Sequence, residues 1–375
     1  PDSTTSVYGH MQRFTKSIAQ YVKEKQYELE SFNIDVRLDT ALFAFKEGEI
    51  IGYAGNSGSS GGPHLHFEIR ETQTEEVIDP LPYYKDRIKD TKAPAIHGIK
   101  IHPIEGLGIV NGSEQSIRLK TTTTQGGELT SNDKIEAWGK IGFSIQTLDR
   151  MDNTSNIYGT KTISMSVNGI ELFHSDINRF SFDETRYINS LIDYDEWRNT
   201  RKHYVKTFVE PGNRLSFIDH INRGYLTIEE EGDYEVLFLV SDLYGNTNSF
   251  SFWIEGIEQS LLTPDTTLFT QTFHRLADNT FGAKGIRLHI PRQALYADVN
   301  FRYGSNEDVS SNQTHHKLHH QFIPLHTPAS MALRIVNDSL PNKKQYGVIS
   351  LNKGHRSWVG GQYKEGWMHT TIREL

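Results

Sequence analysis

The chain has 375 residues and no cysteine. Without cysteine it has no thiol nucleophile, no disulfide and no zinc cluster held by thiolates. Long apolar runs are also missing. The longest purely aliphatic and aromatic run covers residues 236–240, whereas a transmembrane helix needs about 20 such residues. The sequence therefore predicts no transmembrane segment.

An excess of positive charge is likewise absent. Lys and Arg number 39 against 47 Asp and Glu, which gives a net charge of -8 at pH 7. Proteins that bind nucleic acid cluster Lys and Arg to neutralise phosphate, so no nucleic-acid partner is predicted. Hydrophobic residues make up 36%, and glycine adds 30 of the 375 residues, which together is ordinary for a globular chain. The length favours two to three domains.

The residues richest in chemistry are 61–68, which read Gly-Gly-Pro-His-Leu-His-Phe-Glu. Alternate side chains of a β-strand share one face, so His64, His66 and Glu68 are expected to project together. Neutral imidazole is a preferred zinc ligand. The small residues at 56–63 would let a substrate backbone approach closely. Two ordinary strand histidines are the alternative.

Three sequence blocks resemble, in this order, the second half of the LytM/lysostaphin-type zinc metalloendopeptidase domain. They are Val-Tyr-Gly-His-Met at 7–11, the glycine-containing stretch 46–58, and Gly-Pro-His-Leu-His-Phe-Glu at 62–68. The resemblance covers about residues 5–83. Members of this family hydrolyse peptide bonds in the stem or cross-bridge peptides of peptidoglycan.

The resemblance implies a role for each matching residue. His66 corresponds to a ligand of one Zn²⁺ ion, His64 to the general base, and His10 to the stabiliser of the tetrahedral intermediate. Glu68 lies two residues after His66 and is expected either to orient an imidazole or to face solvent. The implied cofactor is zinc, and the implied substrates are peptidoglycan peptides.

One block of the family pattern is missing. The family's other two zinc ligands come from an H-x(3)-D block well before the Y-x-H block, and only nine residues precede His10. A zinc site needs at least three protein ligands, so we expect residues 1–375 to bind zinc weakly and to be inactive, with the block encoded before Pro1. His274 and Asp278 have the H-x(3)-D spacing, but Asn279 and Gly282 beside them indicate a surface turn.

Residues 1–92 are predicted to be the C-terminal part of the peptidase domain. Helical spacing of apolar residues predicts one inserted helix over 14–32 with a buried stripe. Two short strands are expected within 42–55, about the turn at 46–48, and another strand over 64–71.

Residues 93–257 are predicted to form an immunoglobulin-like β-sandwich. Strands are expected at 141–148, 162–167, 170–174, 235–241 and 250–254. Asn168-Gly169 is a strong signal for a two-residue hairpin. Asp and Asn recur after two strands, at 147–156 and 241–248. Turn caps explain them better than calcium ligands do.

Residues 258–375 are predicted to be a further β-rich domain. Its run His315-His316-Lys-Leu-His319-His320 would align pairs of histidines on a helix, as a metal site requires. The flanking residues favour loop and extended structure, which speaks against such a site.

The sequence thus predicts a mainly β, multidomain protein of the cell envelope, either periplasmic or on the outer surface. Its expected activity is zinc-dependent hydrolysis of peptidoglycan peptides in cell-wall remodelling. The β-rich domains would position the peptidase or contact an envelope protein partner. The alternative is a non-catalytic LytM-type scaffold or regulator of envelope enzymes. His10, His64 and His66 are all present, which favours the enzyme.

Overall fold

The computed structural model describes residues 3–39, 42–123, 129–131, 133–262, 269–308 and 313–375. Strands hold 46% of the residues and helices 11%, so the mainly β prediction is confirmed. The chain divides into two compact units, Pro1–Tyr83 and Tyr84–Leu375. Within the described ranges, no helix has both the length and the apolar character needed to cross a bilayer.

The first unit consists of three small antiparallel strand pairings and one helix. Its elements are β1 (Thr4–Gly9), β2 (Met11–Phe14), α1 (Lys16–Glu28), β3 (Gly52–Ala54), β4 (His66–Glu71) and β5 (Val77–Ile78), followed by a 3₁₀ turn at Leu81–Tyr84. β1 pairs with β4, β4 with β5, and β2 with β3. The helix thus lies in sequence between two paired strands.

Three local predictions for this unit are wrong. The helix is shorter than 14–32 because Phe14 belongs to β2 and Leu29 already caps the C-terminus. No residue of α1 is fully buried, so its apolar stripe is only half-covered. Residues 42–45 form no strand, because β2 pairs with β3 and no described strand pairs with this segment. An extended segment without a pairing partner gains no ladder hydrogen bonds.

The second unit begins with a large sheet. Its elements up to residue 256 are β6 (Ala95–Val110), β7 (Ile117–Arg118), β8 (Thr122–Thr123), β9 (Leu129–Thr130), β10 (Glu136–Leu148), β11 (Thr162–Val167), β12 (Ile170–Asp176), β13 (Arg179–Phe180), α2 (Ile188–Leu191), α3 (Tyr194–Thr200), β14 (Val205–Lys206), β15 (Ile218–His220), β16 (Leu226–Ile228), β17 (Gly232–Ser241) and β18 (Thr247–Gly256), with 3₁₀ turns at Phe182–Tyr187 and Asn222–Gly224. The main sheet has the order β15-β12-β11-β17-β18-β10-β6-β7.

Alternating apolar residues build the first core of this unit. Along β17, Val236, Phe238 and Val240 are fully buried, while Leu237 and Leu239 between them are exposed. This period of two is what one covered sheet face requires. Every strand predicted between residues 141 and 254 lies within a strand of the structure, apart from small differences at its ends.

The predicted hairpin at Asn168-Gly169 is confirmed. It joins β11 to β12, which pair antiparallel. Asn168 has φ 49° and Gly169 has φ 78°, the two left-handed conformations that a type I′ turn needs.

The rest of the second unit has its own apolar core. Its strands are β19 (Gln271–Phe273), β20 (Asn279–Ala283), β21 (Ile286–Ile290), β22 (Val299–Phe301), β23 (Tyr303–Asp308), β24 (Gln313–Leu318), β25 (Pro324–Arg334), β26 (Val348–Asn352), β27 (His355–Gly360), β28 (Gln362–Lys364) and β29 (Trp367–Glu374), with a 3₁₀ turn at Lys343–Gln345. A sheet of order β20-β21-β25-β29-β28 packs around buried residues such as Phe273 and Phe301. The predicted domain boundaries at 92/93 and 257/258 stay predictions.

Candidate functional site

His10 lies where the chain of the first unit passes from one pairing to another. β1 ends at Gly9 and pairs with β4, whereas β2 begins at Met11 and pairs with β3. His10 between them has φ 56°. The left-handed region is costly for a residue other than glycine, and such strain clusters at functional sites. This single residue therefore redirects the backbone between the two strand pairs.

The same junction brings the two other histidines to His10. His66 is the first residue of β4 and lies opposite Gly9, and His64 forms an isolated bridge with Gly55, directly after β3. The ring centroid of His10 lies 4.7 Å from that of His64 and 5.6 Å from that of His66. Three of the predicted site residues thus meet in space.

Backbone carbonyls fix the tautomers of His64 and His10. Nδ1 of His64 is 2.8 Å from the carbonyl oxygen of Gly62, and Nδ1 of His10 is 2.8 Å from that of Ser57. A carbonyl oxygen only accepts, so each Nδ1 carries the proton and donates it. In the neutral form, Nε2 of each ring is then an unprotonated nitrogen, as a general base needs.

Glu68 holds the third ring. The Nε2 of His66 donates to Oε1 of Glu68 at 2.5 Å, and Arg70 donates from Nε to Oε2 of the same carboxylate at 2.7 Å. Burial alone would raise the pKa of Glu68, but the hydrogen bonds from His66 and Arg70 outweigh it and hold the pKa below its usual 4.5. Glu68 is therefore an anion that anchors His66 and leaves Nδ1 of that ring for a ligand.

Two supporting features escaped the sequence reasoning. Arg70 follows Glu68 by two residues on the same strand face, which period-two spacing could have indicated. Gly9 lies so close to His66 that a Cβ at position 9 would be 3.1 Å from the Cβ of His66. Glycine at this position thus leaves room for the His66 side chain.

The histidine cluster is open and supplies few metal ligands. The side chain of His66 is 44% exposed. Among the described residues, His10, His64, His66 and Glu68 do not bring one ligand atom from each of three side chains within 4.8 Å of one another. The described part of the first unit thus offers His66 as one ligand and two further imidazoles beside it.

The histidines of residues 315–320 have a different setting. His315 and His316 lie on β24, where consecutive side chains point to opposite faces. Nδ1 of His316 bonds to the hydroxyl of Tyr303 at 2.8 Å. Buried His319 accepts a hydrogen bond at Nδ1 from the backbone N–H of Arg302, and burial lowers its pKa to about 3. These contacts hold the β23–β24 hairpin together.

The H-x(3)-D spacing of His274 and Asp278 lies in a turn, as predicted. His274 pairs with Asp298 at 3.1 Å, and Asp278 lies 3.5 Å from a nitrogen of His289. The two residues of the motif therefore have separate partners.

Comparisons with known proteins concern a different part of the chain. Residues 270–375 match a family model described as a Zu5-like domain. No LytM family model matches. No curated protein and no solved structure matches the chain. The similarity found is thus confined to the part of the chain around the second apolar core of the second unit.

Proposed function

We propose that the first unit carries half of the active site of a LytM/lysostaphin-type zinc metalloendopeptidase that hydrolyses peptidoglycan peptides. The observation that supports this best is the convergence of His10, His64 and His66 at one strand junction, each ring with one nitrogen that has no hydrogen-bond partner in the described part of the chain. His64 and His66 are exposed and His10 is half-buried, whereas His319, which holds a hairpin, is buried.

His66 and Glu68 fit a zinc site, of which they supply one ligand and its carboxylate partner. His66 offers Nδ1 as an imidazole ligand, and the anion of Glu68 on Nε2 is the carboxylate partner that zinc-bound histidines commonly have. Zinc bound there would supply Lewis acidity to the scissile carbonyl and to the attacking water.

His64 has the protonation pattern of a general base. Its Nδ1–H is held by the Gly62 carbonyl, which fixes the ring and leaves Nε2 to accept a proton from the attacking water. The proton can then pass to the leaving amine. Ser60 lies 3.3 Å from the same Nδ1 and restrains the ring further.

His10 can stabilise an oxyanion only in one protonation state. Because Nδ1–H is donated to the Ser57 carbonyl, neutral His10 has no hydrogen on Nε2. In the imidazolium form, Nε2 becomes a donor while the bond to Ser57 is kept. The role implied by the resemblance therefore requires His10 to be protonated when the tetrahedral intermediate forms.

The proposal requires further ligands. A catalytic zinc site has three protein ligands, and we propose that an H-x(3)-D block encoded before Pro1 supplies the other two. We further propose that residues 93–257 form an immunoglobulin-like sandwich, and that the second unit contacts an envelope protein partner. The protein would then act in the cell envelope, where peptidoglycan lies.

A non-catalytic LytM-type scaffold is the second candidate. It is favoured by the lack of a closed set of three donors around His66 in the described part of the chain. A scaffold has no use for a free Nε2 on His64, however. The histidine cluster thus gives the two candidates different consequences for substitution.

The deciding experiment starts from the coding sequence that precedes Pro1. An H-x(3)-D block there, together with release of peptides from purified peptidoglycan by the protein that contains it, would support the enzyme. Absence of that block from the gene would overturn the peptidase in favour of the scaffold. The matched control is the same protein with His355→Ala, an exposed histidine of β27, which should leave hydrolysis unchanged.

A further inference from the structure

Three aspartates that are distant in sequence meet in the second unit. Asp90 precedes β6, Asp149 directly follows β10, and Asp242 directly follows β17. One carboxylate oxygen from each lies within 4.8 Å of the others. The three residues are only 6%, 4% and 8% exposed, in that order. The fold thus buries three carboxylates together.

One of these carboxylates has an oxygen without a partner. Oδ1 of Asp90 accepts a hydrogen bond from the backbone N–H of Lys92 at 3.0 Å. Oδ2 of Asp90 is buried and has no hydrogen-bond partner among the described residues. A buried acceptor without a partner costs about 1–3 kcal/mol, and more when it is charged. An atom of this kind beside two further carboxylates points to a cation-binding site.

Nearby cationic side chains do not neutralise the cluster. Nζ of Lys92 bonds to the carbonyl of Met151 at 3.0 Å, and the guanidinium of Arg150 bonds to the carbonyl of Ser155 at 3.2 Å. Within the described ranges, no ion pair joins Asp90, Asp149 or Asp242 to Lys, Arg or His. Buried charges in proteins are normally paired or bound to a metal.

The carboxylates also repel one another. Burial is the largest cause that raises the pKa of Asp149 to about 6, and the charges of Asp242 and Asp90 add to it. The only opposing effect of note is a hydrogen bond from the backbone of Arg150. The arrangement is therefore unfavourable for three anions without a counter-charge.

Turn capping accounts for part of the cluster. Oδ1 of Asp242 accepts from the backbone N–H groups of Tyr244 and Asn246 at 2.8 and 2.9 Å, as the sequence interpretation expected for a turn. Oδ2 of Asp242 accepts from Nδ2 of Asn246 at 2.7 Å. A carboxylate has about four lone-pair sites, so these three bonds leave one site for a cation. Capping also gives no reason for Asp90 and Asp149 to lie against it.

We propose that Asp90, Asp149 and Asp242 bind a calcium ion, which ties the segment before β6 to the ends of β10 and β17. The donors are hard carboxylate oxygens without imidazole or thiolate, which suits calcium rather than zinc. Magnesium usually keeps several waters, for which a buried cluster has little room. Backbone carbonyls or water would complete the shell. This site does not depend on the proposed peptidase.

The test is thermal unfolding of the 375-residue protein in about 1 mM Ca²⁺, the range of extracellular calcium modules, in EGTA, and in Mg²⁺. Calcium should raise the unfolding temperature by several degrees, because it binds only the folded state. Asp149→Asn should abolish this shift. In EGTA the variant should unfold no earlier than the parent, because it loses one repelling charge. The control Asp233→Asn, an exposed residue near the start of β17, should keep the full shift.

Calorimetric titration of the parent with Ca²⁺ provides a readout that needs no variant, and a single class of site is expected. The proposal is overturned if the parent shows neither heat of binding nor a shift, or if Asp149→Asn retains the shift. An equal shift in Mg²⁺ would overturn the assignment to calcium.

Discussion

The histidines of the two units show how one residue type serves different purposes. In the first unit, His10, His64 and His66 converge, and one nitrogen of each ring has no hydrogen-bond partner among the described residues. In the second unit, His316 and His319 also bond through Nδ1 alone within the described ranges, but burial lowers the pKa of both rings and their contacts hold a hairpin. The comparison teaches that the clustering of histidines in sequence is a weaker guide to chemistry than their convergence in space.

Removal of the proposed general base, His64, should have the largest effect on activity. In a protein that includes the proposed H-x(3)-D ligand block, His64→Ala should lower turnover by about 10²–10⁴-fold, the usual contribution of a general base, while zinc content stays unchanged. Peptide release from peptidoglycan and elemental analysis measure the two quantities. Equal loss of zinc from this variant would show that His64 is a ligand and that its assignment as base is wrong.

The carboxylate that anchors His66 should come next. Glu68→Ala should weaken zinc binding by about 10–100-fold, as removal of such partners typically does. Glu68→Gln keeps an acceptor for Nε2 but not the charge, so an intermediate loss is expected. Competition with a chelator measures the affinity. Glu24→Gln on the exposed face of α1 is the control, and the prediction fails if both positions give the same affinity.

The histidines of residues 315–320 should make the stability of the second unit depend on pH rather than on metal. Burial lowers the folded-state pKa of His319 to about 3 from 6.5. Below pH 6.5 the unfolded chain therefore takes up the proton first, and the stability that His319 contributes is lost as the pH falls. Between pH 7 and pH 5 the free energy of unfolding should fall by about 2 kcal/mol from this group alone.

Denaturant unfolding of His319→Gln at both pH values checks this expectation. The variant should lose about 2 kcal/mol less than the parent between the two pH values. Burial likewise lowers the pKa of His102 to about 3, and this residue contributes equally to both proteins. Identical acid sensitivity of parent and variant would contradict a buried, neutral His319.

The smallest effect is expected from the glycine that faces His66. Gly9→Ala places a methyl group 3.1 Å from the Cβ of His66, which is tight enough to shift the ring. A several-fold loss of zinc affinity should follow. Gly61→Ala is a matched control because a Cβ there meets nothing within 4 Å. Equal zinc affinities of the two variants would contradict this prediction, because they would mean that β1 and β4 move apart without displacing the His66 ring.

Much of the local structure could be predicted because it depends on local chemistry. The strands of the second unit follow from alternation of apolar residues, and the Asn168-Gly169 turn follows from its left-handed backbone. The strand predicted around residues 42–45 is wrong, because strand pairing depends on where a partner distant in sequence lies. Convergence of Asp90, Asp149 and Asp242 could not be read from the sequence, since each residue alone is indistinguishable from a turn cap.

The most direct test of the proposed zinc site is the zinc content of a protein that includes the proposed H-x(3)-D block, compared with two variants. The parent should hold stoichiometric zinc, His66→Ala should lose it, and a variant with glutamine at four histidines of the second unit should retain it. Those four are His315, His316, His319 and His320. Zinc that survives His66→Ala but disappears from the fourfold variant would contradict the assignment of the metal to the first unit.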